Sequence, residues 1–348
     1  MDATWRLARL MDGYLVTQLL AVAARLGVAD VLADGPLTSA EIAEAVDADP
    51  RALHRVLRNL AIEEVLEELD DGRFALAPMG ERLRTDVPGS LRGAVLARGE
   101  LYYRSAERFL PAVRGEGVPY ELAHGEPFFE HLGHHPEREA AFQGSMAGRS
   151  AQEAADVVAA YDFGAITRLV DVGGGSGILL AAILDSAPNL SGVLFDRPGV
   201  VADVARLDRC ELVAGDFFQS VPEGADCYVL SRVIHDWDDA DAIRILARVR
   251  EAMEPGSRLL LVEALLPERA VDQPLAVRMD VNMLMLFSDA RERTEAEYRR
   301  LLAEADLSLE RVLPTRSPAG LSVLEALPAQ SEGTAATADE ERYGALPT

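Results

Sequence analysis

The sequence predicts an α/β protein in two parts: a mostly helical N-terminal module, then a mostly parallel sheet with helices on both faces. Three observations predict it. Strand and helix patterns alternate from about residue 165 to residue 328, the mark of βαβ units. Within them an apolar run, Leu169-Val170-Asp171-Val172, enters a glycine-rich turn, Gly173-Gly174-Gly175-Ser176-Gly177, and then an apolar helix. Ahead of them, two helical patterns precede a hairpin that turns at Asp71-Gly72. At 348 residues the chain exceeds the usual size of one domain.

The elements follow in order. Met11 to Leu26 carries apolar residues at helical spacing, and Thr38 or Ser39 is placed to cap the next helix. Asp49-Pro50 opens another helix with proline at its first position. The stretch from Val65 to Leu76 reads as the hairpin, so residues 1–95 are expected to form a winged-helix module. Residues 96–160 read as helices and loops, and hold Tyr102, Tyr103, Phe109, Phe128, Phe129 and Phe142. Over residues 161–328, strands are expected at 168–172, 192–196, 211–214, 226–230 and 258–263, with helices at 177–186 and 239–253. A Thr294-capped helix leads to a closing hairpin, 307–313 with 320–325. Residues 329–348 are polar and rich in Ala, Thr and Glu, and read as a disordered tail.

Composition narrows the function classes. A net charge of −24 repels a phosphate backbone, and the wing itself is acidic, with Glu63, Glu64, Glu67, Glu68, Asp70 and Asp71. The expectation is therefore no nucleic-acid partner, which sets aside a winged-helix regulator. No run reaches the roughly 18 apolar residues of a membrane span, and the N-terminus lacks the pattern of a secretion signal. Cys210 and Cys227 are the only cysteines, too few for a disulfide framework or a zinc site. A cytoplasmic protein without a membrane partner is expected.

The glycine loop is the strongest chemical signal. Its glycines let backbone approach a ligand at the carboxyl edge of a sheet. The spacing is G-x-G-x-G at Gly173, Gly175 and Gly177, and Ile178 breaks the dinucleotide pattern G-x-G-x-x-G, which opposes a nicotinamide oxidoreductase. Asp196 closes the second strand, where a carboxylate accepts hydrogen bonds from both ribose hydroxyls of a nucleoside. Gly215-Asp216-Phe217-Phe218 follows; Asp216 suits an adenine amino group and Phe217 its ring, the alternative being turn and core residues.

These residues resemble a known family, the class I SAM-dependent small-molecule O-methyltransferases of plant phenylpropanoid and bacterial antibiotic pathways. The resemblance spans about residues 10–328. It rests on Leu169–Gly177, Phe195-Asp196-Arg197-Pro198, Gly215–Phe218, His235-Asp236-Trp237-Asp238-Asp239 and Glu292-Arg293-Thr294-Glu295. It implies a Rossmann-like SAM methyltransferase domain behind an N-terminal winged-helix dimerisation domain. The protein would act as a homodimer, and residues 96–160 would form a linker that lines the substrate pocket. By the resemblance, Gly173, Gly175, Asp196, Asp216, Phe217 and Ser231 or Arg232 contact S-adenosyl-L-methionine (SAM). Ser231 stands where plant members often carry lysine. His235 is the general base, flanked by Glu263 and Glu292. Phe142, Met146, Asp280 and Asn282 line the substrate and methionine-side pocket. Ser288-Asp289-Ala290-Arg291 departs from the Gly-Gly that many members carry there.

The residues make chemical sense of those roles. A neutral phenol, with a pKa of about 10, is a poor nucleophile, and an imidazole with a pKa near 6.5 can take its proton as the methyl moves. A carboxylate on the other ring nitrogen, Glu292 by first choice, would fix the tautomer. Asp236 can orient the hydroxyl, or simply start a helix. The expected reaction is methylation of a hydroxyl on a small aromatic or polyketide-like metabolite. The alternative is a SAM-fold protein diverged to hydroxylation or decarboxylation. His131, His134 and His135 cluster before Pro136, but no cysteine joins them and the resembled family needs no metal. They read as a solvated loop before a helix. The stripe Met279, Met283, Met285 and Phe287 reads as core or pocket lining.

Overall fold

The computed structural model describes residues 2–329. The expected tail, apart from Ala329, lies outside them.

The N-terminal part is helical, with a small sheet of β1 (Leu37–Thr38), β2 (Leu66–Glu68) and β3 (Arg73–Leu76) in the order β1-β3-β2. Thr38 caps helix Ser39–Ala45 through a reciprocal box with Glu41, and Asp49 caps helix Pro50–Ile62 by accepting from the Ala52 N–H. Ile42, Leu53, Leu57, Leu60 and Phe74 pack into a core of their own. Strand β1 escaped the sequence reading: two residues are too short to show alternation, and pairing with β3 alone defines them. The first helix, Ala3–Met11, buries none of its residues, and Trp5, Leu10 and Met11 are exposed.

The second part is built on an eight-stranded sheet among the described residues. Its strands are β4 (Arg168–Val172), β5 (Ser191–Asp196), β6 (Cys210–Ala214), β7 (Cys227–Ser231), β8 (Arg258–Leu266), β10 (Leu307–Pro314) and β11 (Leu321–Pro328), with β9 (Arg293–Thr294) paired to β8 off the main path. The order is β10-β11-β8-β7-β4-β5-β6, parallel from β6 to β8 and antiparallel at β11 and β10. Strands β4, β7 and β8 are nearly continuous buried runs because helices cover both faces. One core packs Val170, Phe195 and Tyr228 against helices Asp239–Ala252 and Glu295–Glu304. The other packs Leu169, Leu194 and Val229 against helix Ile178–Ser186 and the end of the long helix Pro136–Ala160.

Chain order reverses between β4 and β7. The crevice beyond their carboxyl ends is where an open α/β sheet takes its ligand. The glycine turn leaves β4 there, and Ser231-Arg232 leaves β7 there.

Candidate active site

One edge of the crevice is made largely of backbone. Gly173, Gly175 and Gly177 all have left-handed φ, of 72°, 55° and 76°. A Cβ at Gly173 would lie 2.9 Å from the Val233 Cγ2, so this turn needs glycine twice over. Asp196 Oδ2 accepts the Gly175 N–H at 2.9 Å, while its Oδ1 accepts the Arg197 N–H. Asp216 Oδ1 accepts the Phe218 N–H, and the Phe217 ring stands edge-on to Trp237 at 5.9 Å. Gly173, Gly175 and Ser231 line a cavity of about 160 Å³ with Asp171, Arg149, Glu153 and Arg232. Burial, together with the Asp196 charge, pushes Asp171 up to about 7, and its Oδ2 has no hydrogen-bond partner.

The other edge is made of side chains. His235 sits on a 3-10 turn, Ile234–Asp236, 4% exposed. Its Nδ1 lies 3.1 Å from Glu292 Oε1, and its Nε2 lies 3.3 Å from Asp236 Oδ1, on the half-exposed side. Burial alone would lower the imidazole pKa, but the carboxylates of Glu263, Glu292 and Asp236 outweigh it and raise it above the ordinary value. Glu292 is fully buried. Desolvation pushes it up, yet the His235 hydrogen bond and the charges of His235, Arg232 and Arg149 hold it below the usual carboxylate range. Glu263 does not touch the imidazole; its Oε1 accepts the N–H groups of Val233 and Ile234, fixing the turn that carries His235, and burial pushes it up to about 7.

Two further residues lock that turn and were not singled out from the sequence. Arg293, fully buried, donates from Nη1 to Ile234 O and from Nη2 to Trp237 O and Asp239 Oδ1. Arg291 donates its N–H to His235 O. The only available signal was the position of Arg293 beside Glu292 in a quoted motif. Arg149 and Glu153, one turn apart on the long helix, also face the crevice, and nothing in their spacing marked them.

The remaining expected positions divide into three groups. Asp280 Oδ1 accepts the Glu292 N–H at 3.0 Å, so it holds the backbone of the residue that faces His235 Nδ1. Phe142 packs edge-on to Phe128 at 5.0 Å in an aromatic wall with Tyr120 and Phe287, and Met146 Sδ meets Arg149 Nη2 at 3.3 Å. Asn282 lines a cavity of about 850 Å³ with Tyr14, Tyr102, Phe109, Met279 and Met285. A smaller cavity of about 390 Å³ opens beside Asp236 and Trp237, between Phe128, Phe129 and Phe287.

The histidine cluster needs a correction. Only His131 departs from a solvated loop: helix Phe128–His134 carries it 4% exposed and edge-on to Tyr120, while His134 and His135 are exposed. Glu126 bridges the Nδ1 atoms of His131 and His134 at 2.9 and 2.8 Å, a local arrangement that sequence polarity does not show. Among the described residues, Glu126, His131 and His135 form one group whose ligand atoms come within 4.8 Å of one another, and His235, Glu263 and Glu292 form the other. In the second group Glu292 is already held by His235 and Arg232, and Glu263 by two backbone amides.

A family model of the O-methyltransferase domain matches residues 106–308, and one of the O-methyltransferase dimerisation domain matches residues 8–86. The chain is 41% identical over 330 residues to the phenazine O-methyltransferase PhzM of Lysobacter antibioticus, covering 92% of this chain and 95% of that protein. It is 37% identical to the 8-amino-8-demethylriboflavin N,N-dimethyltransferase of Streptomyces davaonensis, covering 86% and 88%. Among solved structures it resembles the O-methyltransferase NcsB1 of neocarzinostatin biosynthesis, in complex with SAM and 2-hydroxy-5-methyl naphthoic acid, with a TM-score of 0.73, 34% identity, and coverage of 90% and 96%. The chain therefore belongs to the SAM-dependent O-methyltransferase family, with its dimerisation and methyltransferase domains both present.

Proposed function

We propose that this enzyme methylates a hydroxyl of a small aromatic metabolite, with His235 as general base and no metal in the reaction. The observation that carries the reading is the buried His235. Its Nδ1 is held on Glu292 and its Nε2 lies 3.3 Å from Oδ1 of Asp236, a residue that lines the cavity beside Phe128 and Phe287. A neutral imidazole whose Nδ1–H is donated to a carboxylate presents Nε2 as the proton acceptor.

The crevice fits SAM on its own terms. A Cβ would collide at Gly173, Asp171 Oδ2 is buried without a partner, and Asp196 and Ser231 flank the loop. Gly173, Gly175, Asp196, Asp216, Phe217 and Ser231 would hold the cofactor. When bound, SAM supplies an electrophilic methyl on a sulfonium. The aromatic wall of Phe128, Phe142 and Phe287 would hold the acceptor ring and exclude water. With that methyl donor in place, His235 Nε2 would take the proton that the acceptor hydroxyl gives up. Glu292 stabilises the imidazolium that results, and Asp236 steadies the hydroxyl.

The exposed apolar residues of helix Ala3–Met11, within and beside the dimerisation segment, support a homodimer. No single helix among the described residues is long and apolar enough to cross a membrane, and the two free cysteines support placement in the cytoplasm. An amine acceptor is the second reading, favoured by the N,N-dimethyltransferase relative.

The test is mass spectrometry of the protein incubated with SAM, EDTA and a panel of phenols, aminophenols and hydroxylated polyketides, beside His235→Ala. Methylated oxygen in EDTA that largely vanishes in the variant is expected. Equal yield from the variant removes His235 as base. Methylated nitrogen selects the second reading. SAM binding without any methyl gain selects a diverged reaction.

A further inference from the structure

The residue after β7 does something that its place in the chain does not suggest. Arg232 follows Ser231 at the edge of the glycine loop, where a side chain is expected to point at the cofactor. Its backbone instead turns into the left-handed region, with φ 57°, its N–H donating to Val262 O at 3.0 Å. Such a φ is strained for a non-glycine residue and persists only where its surroundings hold it. The turn leaves the guanidinium 9% exposed, on the wall of the glycine-loop cavity that Arg149 and Glu153 also line. There Nη1 lies 3.2 Å from Glu292 Oε1, the same oxygen that faces His235 Nδ1, and Nη2 lies 3.5 Å from Glu153 Oε1 on the long helix and 2.7 Å from Met279 Sδ.

We propose that Arg232 is a positioning residue for the base: it holds the Glu292 carboxylate ionised and aimed at His235 Nδ1, and it is not a ligand of the cofactor. A buried carboxylate with a single imidazole partner would tend to share that partner's proton. A guanidinium on the same oxygen favours the charged carboxylate by Coulomb attraction and fixes its orientation. The active form, neutral His235 beside ionised Glu292, lacks the last proton of the pair. Whichever of the two holds that proton, a cation at Arg232 makes it leave at lower pH. The other groups around the pair are Glu263, Asp236, Asp280, Glu153, Arg149 and Tyr298. Arg149 reaches toward Glu153 and two methionine sulfurs, so Arg232 is the cation in direct contact with Glu292 among the described residues.

This deepens the methyl-transfer reading and rests on His235 being its base, but the test needs no acceptor. Histidine-labelled protein would be titrated by NMR, with the His235 signal assigned from His235→Gln, and S-adenosylhomocysteine binding would be measured by calorimetry. In Arg232→Gln the His235 midpoint is expected to rise by roughly one unit, with Arg232→Lys returning toward the parent and S-adenosylhomocysteine affinity within about threefold of it. Glu153→Gln, which removes the competing carboxylate, is expected to move the midpoint the other way and keeps the test open if Arg232→Gln does not fold. A midpoint that stays put in Arg232→Gln while S-adenosylhomocysteine affinity falls tenfold or more overturns the proposal and makes Arg232 a cofactor contact. A turnover assay in which His235→Ala remains fully active would sink the base reading instead, and would leave this titration unaffected.

Discussion

The two edges of the crevice are built by opposite means. The glycine-loop edge is local: one turn after β4, three left-handed glycines, and a carboxylate from the next strand bonded to a loop amide. The His235 edge is assembled from afar. His235 and Glu292 are 57 residues apart, and Arg232 and Glu153 are 79 apart. The first edge presents backbone geometry, which a static turn can preorganise. The second presents charge, which exists only while several segments stay packed together. On the proposed reading, binding falls to the part that is hard to deform, and proton transfer to the part whose pKa values depend on its neighbours.

That division can be broken at chosen points. The largest effect is expected at His235. His235→Ala should lower kcat by roughly 100- to 10,000-fold in a steady-state assay of the acceptor found. A loss under tenfold would mean that proximity alone drives the reaction. Next comes Arg293, which holds two carbonyls and Asp239 without touching either ligand site. Arg293→Met should cost about 2–4 kcal/mol in denaturant unfolding, because it takes the donor from the Ile234 and Trp237 carbonyls, while Asp239 keeps Arg291 and Arg300. An unchanged midpoint would show that the turn holds itself. At the other edge, Gly173→Ala adds a Cβ where φ is left-handed and Val233 is close. It should cost about 1–2 kcal/mol of stability, with weaker S-adenosylhomocysteine binding and an unshifted His235 titration. A shifted titration would mean that the two edges are not independent.

The smallest effect is a pH dependence. Glu263 titrates at about 7 when folded and near 4.3 when unfolded, so the native state holds its proton more tightly. Its contribution to stability is complete below the unfolded value and is lost as pH rises from about 4 through about 7. The raised His235 acts in the same sense, losing its contribution as pH rises through its folded value. Melting temperature should therefore fall between pH 5.5 and 8, and fall less steeply in Glu263→Gln. A parallel slope in the variant would remove Glu263 as a source.

The same contrast explains what could be read in the sequence. The strand-to-glycine turn, the Asp71-Gly72 hairpin and the Thr294 cap each depend on neighbours within a few residues, and each is visible as a local pattern. The resemblance offered Arg232, beside Ser231, as a cofactor contact. Its placement depends on Glu292, Glu153 and Met279, which no local period connects to it. Arg293, Arg149 and Glu153 were silent for the same reason. His131 looked solvated because a histidine among polar neighbours usually is, whereas Tyr120 and Glu126 from an earlier turn enclose it.

The most direct test of the division between the edges is S-adenosylhomocysteine calorimetry on two variants, Asp196→Ala and His235→Ala. Asp196→Ala removes the carboxylate that holds the Gly175 amide at 2.9 Å, and should lose tenfold or more in affinity, about 1.4 kcal/mol. His235→Ala should bind as tightly as the parent while failing to turn over. Equal losses in the two would contradict the account, since cofactor binding would then depend on the charge network as much as on the loop.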